Sequence, residues 1–390
     1  MRALFVGSEV QQMTRILRGL KNIGCVTAIY KRSIEEIRKN MEYAQELLDF
    51  LKDVSPDFVI SNLFDGVLAT VTHVLQIKYA VYGMDSPMYD TYRWEEARFE
   101  NCYLFYFDKR EYERLMARGY TNVYYMPLAA DVHTADGLVI SEEEVEKYKC
   151  DIGFVASVYS HNAYDRYVDG LAPQIRELIS VVLEQSALRW DGIDRLTPQL
   201  TPEVVGLLKS MVPMIGERME KYISDAEYIK FALLDKKLTN IERLLLSEVL
   251  SERYDFRLYT WNADVTPDHI KRYPQVDFEE RMKIFYSSKI NLNVTLRSIE
   301  SGVPARIFDV MSAGGFAFSN WQPEIPELFE EGKEIVTFKT PEEMLEKIDY
   351  YLTHEEERRE IAANGYRKVK ECYTFEHQLN KIIMILYPSP

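Results

Sequence analysis

The chain has 390 residues, of which 47% are hydrophobic and 28% charged, and its 47 basic and 62 acidic residues leave a net charge of −15. This length is typical of two domains with ordinary hydrophobic cores. The acidic balance opposes non-specific binding to nucleic acid or to anionic membrane surfaces. An anionic ligand would therefore require a local pocket of basic side chains and helix N-termini.

Apolar runs alternate with helical patterns over residues 1–130. The first such run, residues 3–7, is followed by a helical pattern that Gly24 ends, and a charged helix is predicted from Ile34 to about Leu51. The predicted strands are residues 3–7, 26–30, 56–61, 79–82, 103–107 and 123–126. Buried strands that alternate with helices predict a parallel, doubly wound sheet.

A second alternating series begins at Cys150, after a predicted linker over residues 131–149 that contains an acidic helix from Ser141. Its predicted strands are residues 151–156, 256–260, 290–293, 315–318 and 335–338. Residues 171–253 carry apolar positions at helical spacing and predict an all-helical insert. The expected architecture is α/β, with two facing doubly wound, Rossmann-like domains over residues 1–130 and 150–373. Residues 374–390 are expected to form a helix that crosses back to the first domain.

Four cysteines without close spacing argue against a zinc site or a disulfide framework. The N-terminal residues enter a strand directly, without a signal-peptide pattern, and no apolar run is long enough to span a bilayer. We therefore expect a cytoplasmic location.

The segment with the most site-like features follows the predicted strand 290–293. A loop containing glycine and proline leads into a helix that starts near residue 305, and helix N-termini bind anions through unpaired N–H groups and partial positive charge. An arginine in the first turn could bind a phosphate in a bidentate manner, and an aspartate one turn later could accept hydrogen bonds from ribose hydroxyls. The candidate binding residues here are Asn293, Gly302, Val303, Pro304, Ala305, Arg306 and Asp309. The alternative is an ordinary loop with a surface arginine and a capping aspartate.

Residues 302–316, GVPARIFDVMSAGGF, together with residues 323–336, PEIPELFEEGKEIV, resemble the CgeB-like glycosyltransferases, whose C-terminal half is a group 1 glycosyltransferase domain of the GT-B fold. Residues 82–87 and 119–131 are similar to the N-terminal half of the same family, so the resemblance extends over nearly the whole chain. It implies that Asp309 binds the nucleotide ribose, and that Arg306 and the amides of residues 302–305 face the diphosphate and sugar.

One position departs from the related retaining enzymes. In those enzymes a second acidic residue precedes the ribose-binding position with seven residues between the two, and here that position is Ser301. The nearest acid, Glu300, is one residue out of register. Retention of configuration is nevertheless the preferred expectation.

Three further residues are candidates at other strand ends. Ser157 follows the strand 151–156 and could donate to a phosphate oxygen, and Arg166 could neutralise the leaving diphosphate. Asp85 follows the strand 79–82 and could deprotonate an acceptor hydroxyl if the reaction inverts configuration. A surface arginine and an Asx turn are the alternatives for Arg166 and Asp85. Gly7 and Glu9 close the first strand, where a simple turn is the preferred interpretation.

The absence of two motifs limits the classes of enzyme that the sequence could encode. No GxGxxG follows the first strand, which opposes a dehydrogenase, and no Asp-x-Asp occurs, which opposes a metal-chelating acidic motif. Together with the resemblance to the CgeB-like glycosyltransferases, which implies transfer from a nucleoside-diphosphate sugar, most simply UDP-linked, these absences lead us to expect a metal-independent glycosyltransferase without a cofactor.

The acceptor (a protein, a glycan or a small molecule) and a possible homodimer remain open. The alternatives are a non-catalytic structural or binding protein of this fold and a UDP-sugar epimerase. Replacing Arg306 or Asp309 by alanine is expected to abolish transfer and to leave thermal stability nearly unchanged.

Overall fold

The computed structural model describes residues 1–7, 11–31, 42–168, 171–212, 215, 220–261 and 267–388. The chain divides into two compact units. The first comprises Met1–Ala129, Met219–Tyr222 and Cys372–Pro390, and the second comprises Ala130–Arg218 and Ile223–Glu371. No helix within the described ranges is both long enough and apolar enough to cross a bilayer.

The first unit is built on a six-stranded parallel sheet with the order β2-β1-β3-β4-β5-β6. Its strands are β1 Arg2–Gly7, β2 Val26–Lys31, β3 Phe58–Ser61, β4 Lys78–Tyr82, β5 Cys102–Tyr106 and β6 Val123–Tyr125. Helices α1 Gln11–Asn22, α2 Glu42–Val54, α3 Gly66–Val74, α4 Tyr89–Arg93 and α5 Lys109–Ala117 and the 3₁₀ turn Glu95–Arg98 connect them. Strand β3 is buried along its whole length, as expected for a parallel sheet covered on both faces.

The second unit contains another six-stranded parallel sheet, with the order β12-β11-β10-β7-β8-β9. Its strands are β7 Cys150–Val155, β8 Phe256–Tyr259, β9 Arg272–Tyr273, β10 Ser288–Asn293, β11 Ala317–Asn320 and β12 Val336–Phe338. The chain runs from β7 to one edge and then returns, so that β10 pairs with the opposite side of β7. In doubly wound sheets this reversal opens a crevice at the carboxyl ends of the two central strands, where ligands bind.

The helices of the second unit include a long run between β7 and β8. Two short helices that precede β7, α6 Val132–Asp136 and α7 Glu142–Tyr148, are not part of this run. The run between β7 and β8 comprises α8 Ala163–Tyr167, α9 Pro173–Ser186, the 3₁₀ turn Thr197–Gln199, α10 Pro202–Met211, α11 Asp225–Tyr228, the π-helical turn Ile229–Leu234 and α12 Asp235–Arg253. Its apolar side chains form a separate cluster that includes Ile179, Leu208 and Leu233.

The remaining helices are α13 Phe278–Ser287, α14 Ala305–Ser312, α15 Ile325–Leu328, α16 Pro341–Thr353, α17 Glu355–Cys372 and α18 Phe375–Leu386. Helix α18 belongs to the first unit, although it is the last element of the chain. It packs on α1 at Gly19, where an added Cβ would lie 2.7 Å from Leu379 Cδ1. Glycine at that position therefore allows the two helices to approach closely.

The predicted fold class, with two Rossmann-like α/β units, is confirmed. Strand β9 was not predicted, because two residues at a sheet edge are too short to show a periodicity. The predicted charged helix from residue 34 is described only as α2, Glu42–Val54, since residues 32–41 lie outside the described ranges, as does Glu9.

Candidate functional site

Two loops lie side by side at the switch point of the second sheet. Residues 156–162 follow β7, and residues 294–304 follow β10 and lead into α14. Because β7 and β10 are parallel neighbours, with Gly153 opposite Asn291, both loops leave the same edge of the sheet. The sequence-predicted residues Ser157 and Asn293 are thereby brought to one crevice.

The side chain of Arg243, on helix α12, forms hydrogen bonds with the backbone of both loops. The guanidinium Nε donates to the carbonyl of Val294 at 3.1 Å, and Nη1 donates to the carbonyl of Ser157. Nearby, Asn240 Nδ2 donates to the carbonyl of Val158 at 2.7 Å. Burial lowers the pKa of Arg243 from its usual value. One buried cation thus holds the backbone of both loops in a fixed relation.

A second ion pair fixes the loop after β10 to the same helix. Arg297 Nε donates to Glu242 Oε2 at 2.9 Å, and the Arg297 amide donates to Thr239 Oγ1 at 3.0 Å. The Glu242 side chain is fully buried, and a buried carboxylate requires a partner. Arg297 provides the compensating charge at short range.

The other side of this loop is held by the last residue of β11 and by the segment that follows this strand. Thr295 N donates to Asn320 Oδ1 at 2.6 Å, and Ser301 Oγ donates to Glu324 Oε1 at 2.6 Å. Ser301 stands where the resemblance would place a second acidic residue, and the carboxylate of Glu324 approaches it from another part of the chain. Glu324 is 1% exposed, so it supports the loop and does not face solvent.

Asn293 lies inside this network, where its contacts are with protein groups. Its Nδ2 donates to Thr295 Oγ1 at 3.0 Å and to Ser319 Oγ at 2.9 Å, and the residue is buried. The structure therefore gives Asn293 a clear role in shaping the strand end.

The start of α14 carries the predicted anion site. Gly302 and Val303 are buried, Pro304 occupies the N-cap position, and Ala305 begins the helix. The Arg306 side chain is 24% exposed, and its Nη1 lies 4.0 Å from Asp309 Oδ2. A helix start with an arginine in its first turn can bind a phosphate group.

Asp309 is more buried than the sequence indicated. Its side chain is 5% exposed, and Oδ2 also lies 3.6 Å from Arg281 Nη1 on α13. The expectation that Asp309→Ala leaves stability nearly unchanged is therefore revised, because the substitution would leave two arginines without this partner.

The loop after β7 carries Ser157 and leads to Arg166. Ser157 Oγ accepts a hydrogen bond from the Tyr159 amide at 3.2 Å. Tyr159 has a φ of 52°, a left-handed conformation that non-glycine residues adopt at a cost and that is enriched at functional sites. Arg166 is an exposed residue of α8, with its guanidinium 5.5 Å from the ring of Tyr167.

Asp85 belongs to the first unit, where it is exposed just beyond the carboxyl end of β4. The neighbouring Ser86 Oγ donates to the buried carboxylate of Asp108 at 2.8 Å. Asp108 also caps α5 by accepting from Arg110 N. The segment that carries Asp85 is thus tied to the next strand end.

The site residues that sequence reasoning missed lie mainly on α12. Asn240, Glu242 and Arg243 are buried polar residues within a helix whose apolar positions dominated the prediction. The available signal was a run of polar residues on a face that the helical period assigns to the interior, but their partners lie 51 to 86 residues away in sequence.

Comparison with known protein families finds one match, which covers the C-terminal part of the second unit and most of α18. Residues 237–384 match the family model described as glycosyl transferase-like. This range includes Arg243, the loop after β10 and the whole of α14. A search of curated protein sequences finds no significant match.

Solved structures of similar fold extend over the whole chain. HepE (Alr3699) from Anabaena, in complex with UDP, is 10% identical with a TM-score of 0.54, and the alignment covers 98% of this chain and 99% of that chain. Sucrose-phosphate synthase from Thermosynechococcus elongatus is 9% identical with a TM-score of 0.55 and 99% coverage of both chains. A glycosyltransferase from Rickettsia africae ESF-5 is 11% identical with a TM-score of 0.53, covering 100% of this chain and 99% of that chain. At these identities the likeness establishes the fold, two Rossmann-like units of the GT-B type.

Proposed function

We propose that this protein is a glycosyltransferase that moves a sugar from a nucleoside-diphosphate sugar to an acceptor hydroxyl. The observation that carries the proposal is the coincidence of two findings. The glycosyl transferase-like match covers residues 237–384, and this range includes one of the two loops of the switch-point crevice, with Arg306 at the start of α14. We propose UDP as the nucleotide, since the Anabaena protein of similar fold binds UDP and UDP-glucose.

The proposed chemistry is stabilisation of negative charge on the leaving diphosphate. As the bond between sugar and diphosphate breaks, charge builds on the phosphate oxygens, and fixed cations and helix amides lower the energy of that state. We assign this role to Arg306 and the first amides of α14, with Arg166 and Ser157 as further phosphate ligands. Because these groups supply positive charge, we propose that transfer needs no metal ion.

We propose two roles for Asp309, one in positioning Arg306 and one in binding the ribose. Its ion pair with Arg306 supports a positioning role, holding the guanidinium at the helix start. The ribose contact that the resemblance to CgeB-like glycosyltransferases implies is kept as part of the proposal. Retention is the proposed outcome at the anomeric carbon, and Asp85 is the candidate base if the reaction inverts.

The test is donor binding and turnover with Arg306 variants. Arg306→Ala is expected to weaken UDP binding by about 10- to 100-fold, the value of about one charge-assisted hydrogen bond. Arg306→Lys should lose less, because it keeps the charge without the bidentate geometry. Calorimetry with UDP, GDP and dTDP, followed by UDP-glucose hydrolysis with and without EDTA, measures both properties.

Arg359→Ala is the matched control, since the Arg359 side chain is 77% exposed on α17. Equal UDP affinity in the Arg306 and Arg359 variants would contradict the site. UDP binding without hydrolysis or transfer would favour a non-catalytic binding protein, and a new nucleotide sugar formed without acceptor would favour an epimerase.

A further inference from the structure

A buried cluster of charges lies where the helical run meets the loop after β10. Lys230 Nζ is 3.2 Å from Asp235 Oδ2 and 3.2 Å from Glu300 Oε1. The three side chains are 6%, 2% and 10% exposed, respectively. Glu300 belongs to the loop that leads into α14, whereas the other two belong to the helical run, so Lys230 links the two segments.

The backbone places Lys230 in an unusual element. Residues Ile229–Leu234 form a π-helical turn in which all six residues are buried. Single π-turns are rare and are frequently found at functional sites. The ammonium also lies 4.5 Å from the ring centroid of Phe231. A buried lysine in such a turn requires partners, and the two carboxylates provide them.

The cluster carries more negative than positive charge. Asp194 also acts on it electrostatically, although the Asp194 carboxylate is itself hydrogen-bonded to Thr197. Burial lowers the pKa of Lys230, but the attraction of Asp235, Glu300 and Asp194 outweighs it and leaves that pKa raised. Burial raises the pKa of Asp235 to about 6; the charge of Lys230 opposes this shift and that of Glu300 adds to it. Lys230 therefore stays charged at neutral pH, whereas Asp235 changes its protonation state near pH 6.

We propose that Lys230 is a positioning residue that holds the loop 294–304 in place through Glu300, and that protonation of Asp235 strengthens this hold. When Asp235 is neutral, the ammonium faces Glu300 with less competition, and the ion pair that spans the two segments becomes stronger. When Asp235 is ionised, the same ammonium is shared. An effect of this ion pair on donor binding would rest on the proposed function, whereas the contact between Lys230 and the loop 294–304 does not.

The sign of the pH effect follows from the direction of the shift. The folded-state pKa of Asp235 lies above its unfolded value of about 3.9. Its protonated form is thus favoured by folding, and the stability it contributes is full below about pH 4 and is lost as pH rises through about 6. The loop should accordingly be held more firmly at pH 5.5 than at pH 7.5.

Amide hydrogen exchange of residues 294–304 tests the proposal without any ligand. After correction for intrinsic exchange rates, wild-type protection in this loop should be about threefold greater at pH 5.5 than at pH 7.5. One pKa unit of coupling corresponds to about tenfold only between fully protonated and fully ionised Asp235, and pH 5.5 lies within its titration near 6. Asp235→Asn should show the strong protection at both pH values. Lys230→Met should lose protection at both, and Glu300→Gln should lose the pH dependence.

Two results would overturn the proposal: unchanged loop protection in a folded Lys230→Met protein, or a loss spread evenly over the second unit. If Lys230→Met does not fold, Asp235→Asn decides alone, since a pH dependence equal to that of the wild type refutes the coupling. Calorimetry with UDP separates the two proposals. A wild-type protein that binds no UDP contradicts the donor site, while the exchange pattern still decides the role of Lys230.

Discussion

At the scale of single residues, arginines organise the second unit: Arg243 is buried, and Arg281, Arg297 and Arg306 are partly buried. Arg243 and Arg297 connect α12 to the two loops of the crevice, and Arg281 and Arg306 flank Asp309. A buried guanidinium is retained only where several acceptors surround it, because its desolvation is costly. Arg243 and Arg297 fix the backbone of the two loops, and such preorganisation is what the proposed binding of a charged donor would require.

Arg243→Met should destabilise the protein by about 3 kcal/mol, since the carbonyls of Ser157 and Val294 lose charge-assisted hydrogen bonds in a buried setting. Urea unfolding measures the change. Arg359→Met removes an exposed ion pair and should cost about 0–1 kcal/mol. Equal midpoints for the two variants would contradict the anchoring role of Arg243.

At the scale of elements, α14 is supported by the close approach of α17. A Cβ added at Gly365 would lie 2.6 Å from the carbonyl oxygen of Glu334 and 3.3 Å from Met311 Cγ on α14. Backbone cannot yield as a flexible side chain does, so the glycine is required by packing. The helix that begins with the proposed phosphate site is therefore held at its C-terminal half by a contact that leaves no space for a methyl group.

Gly365→Ala should destabilise the second unit by about 2 kcal/mol through this overpacking. Gly206→Ala is the matched control, because a Cβ at Gly206 meets no atom within 4 Å and the position lies inside α10. That control should gain about 1 kcal/mol from helix propensity. Thermal unfolding monitored by circular dichroism distinguishes them, and a stabilising Gly365→Ala would refute the packing argument.

At the scale of the whole molecule, the last helix completes the first unit. Helix α18 buries Phe375, Leu379, Ile382 and Leu386, and Tyr387 Oη donates to the carbonyl of Asp57. Residues more than 300 positions apart in sequence thus share one core, and the folding of the first unit depends on the end of the chain.

Leu379→Ala should destabilise the first unit by about 2–5 kcal/mol, since it creates a cavity against α1. Met384→Ala, on the same helix but 69% exposed, should change stability by less than about 0.5 kcal/mol. Hydrogen exchange resolved along the chain locates the effect. Loss of protection in the second unit, with residues 1–129 unaffected, would contradict the assignment of α18.

The amino-acid sequence by itself determined the two alternating series of strands and helices, because burial on both faces of a parallel sheet leaves apolar runs that are visible locally. It also located the loop and helix start that carry Arg306, since glycine, proline and a following helical period are local signals. Only the tertiary structure decided that β10 pairs with β7, that Arg243 joins their two loops, and that Asp309 is buried between arginines. Those contacts join residues far apart in sequence. The residue type alone does not show whether a charged side chain is buried, because its burial depends on which distant segments pack around it.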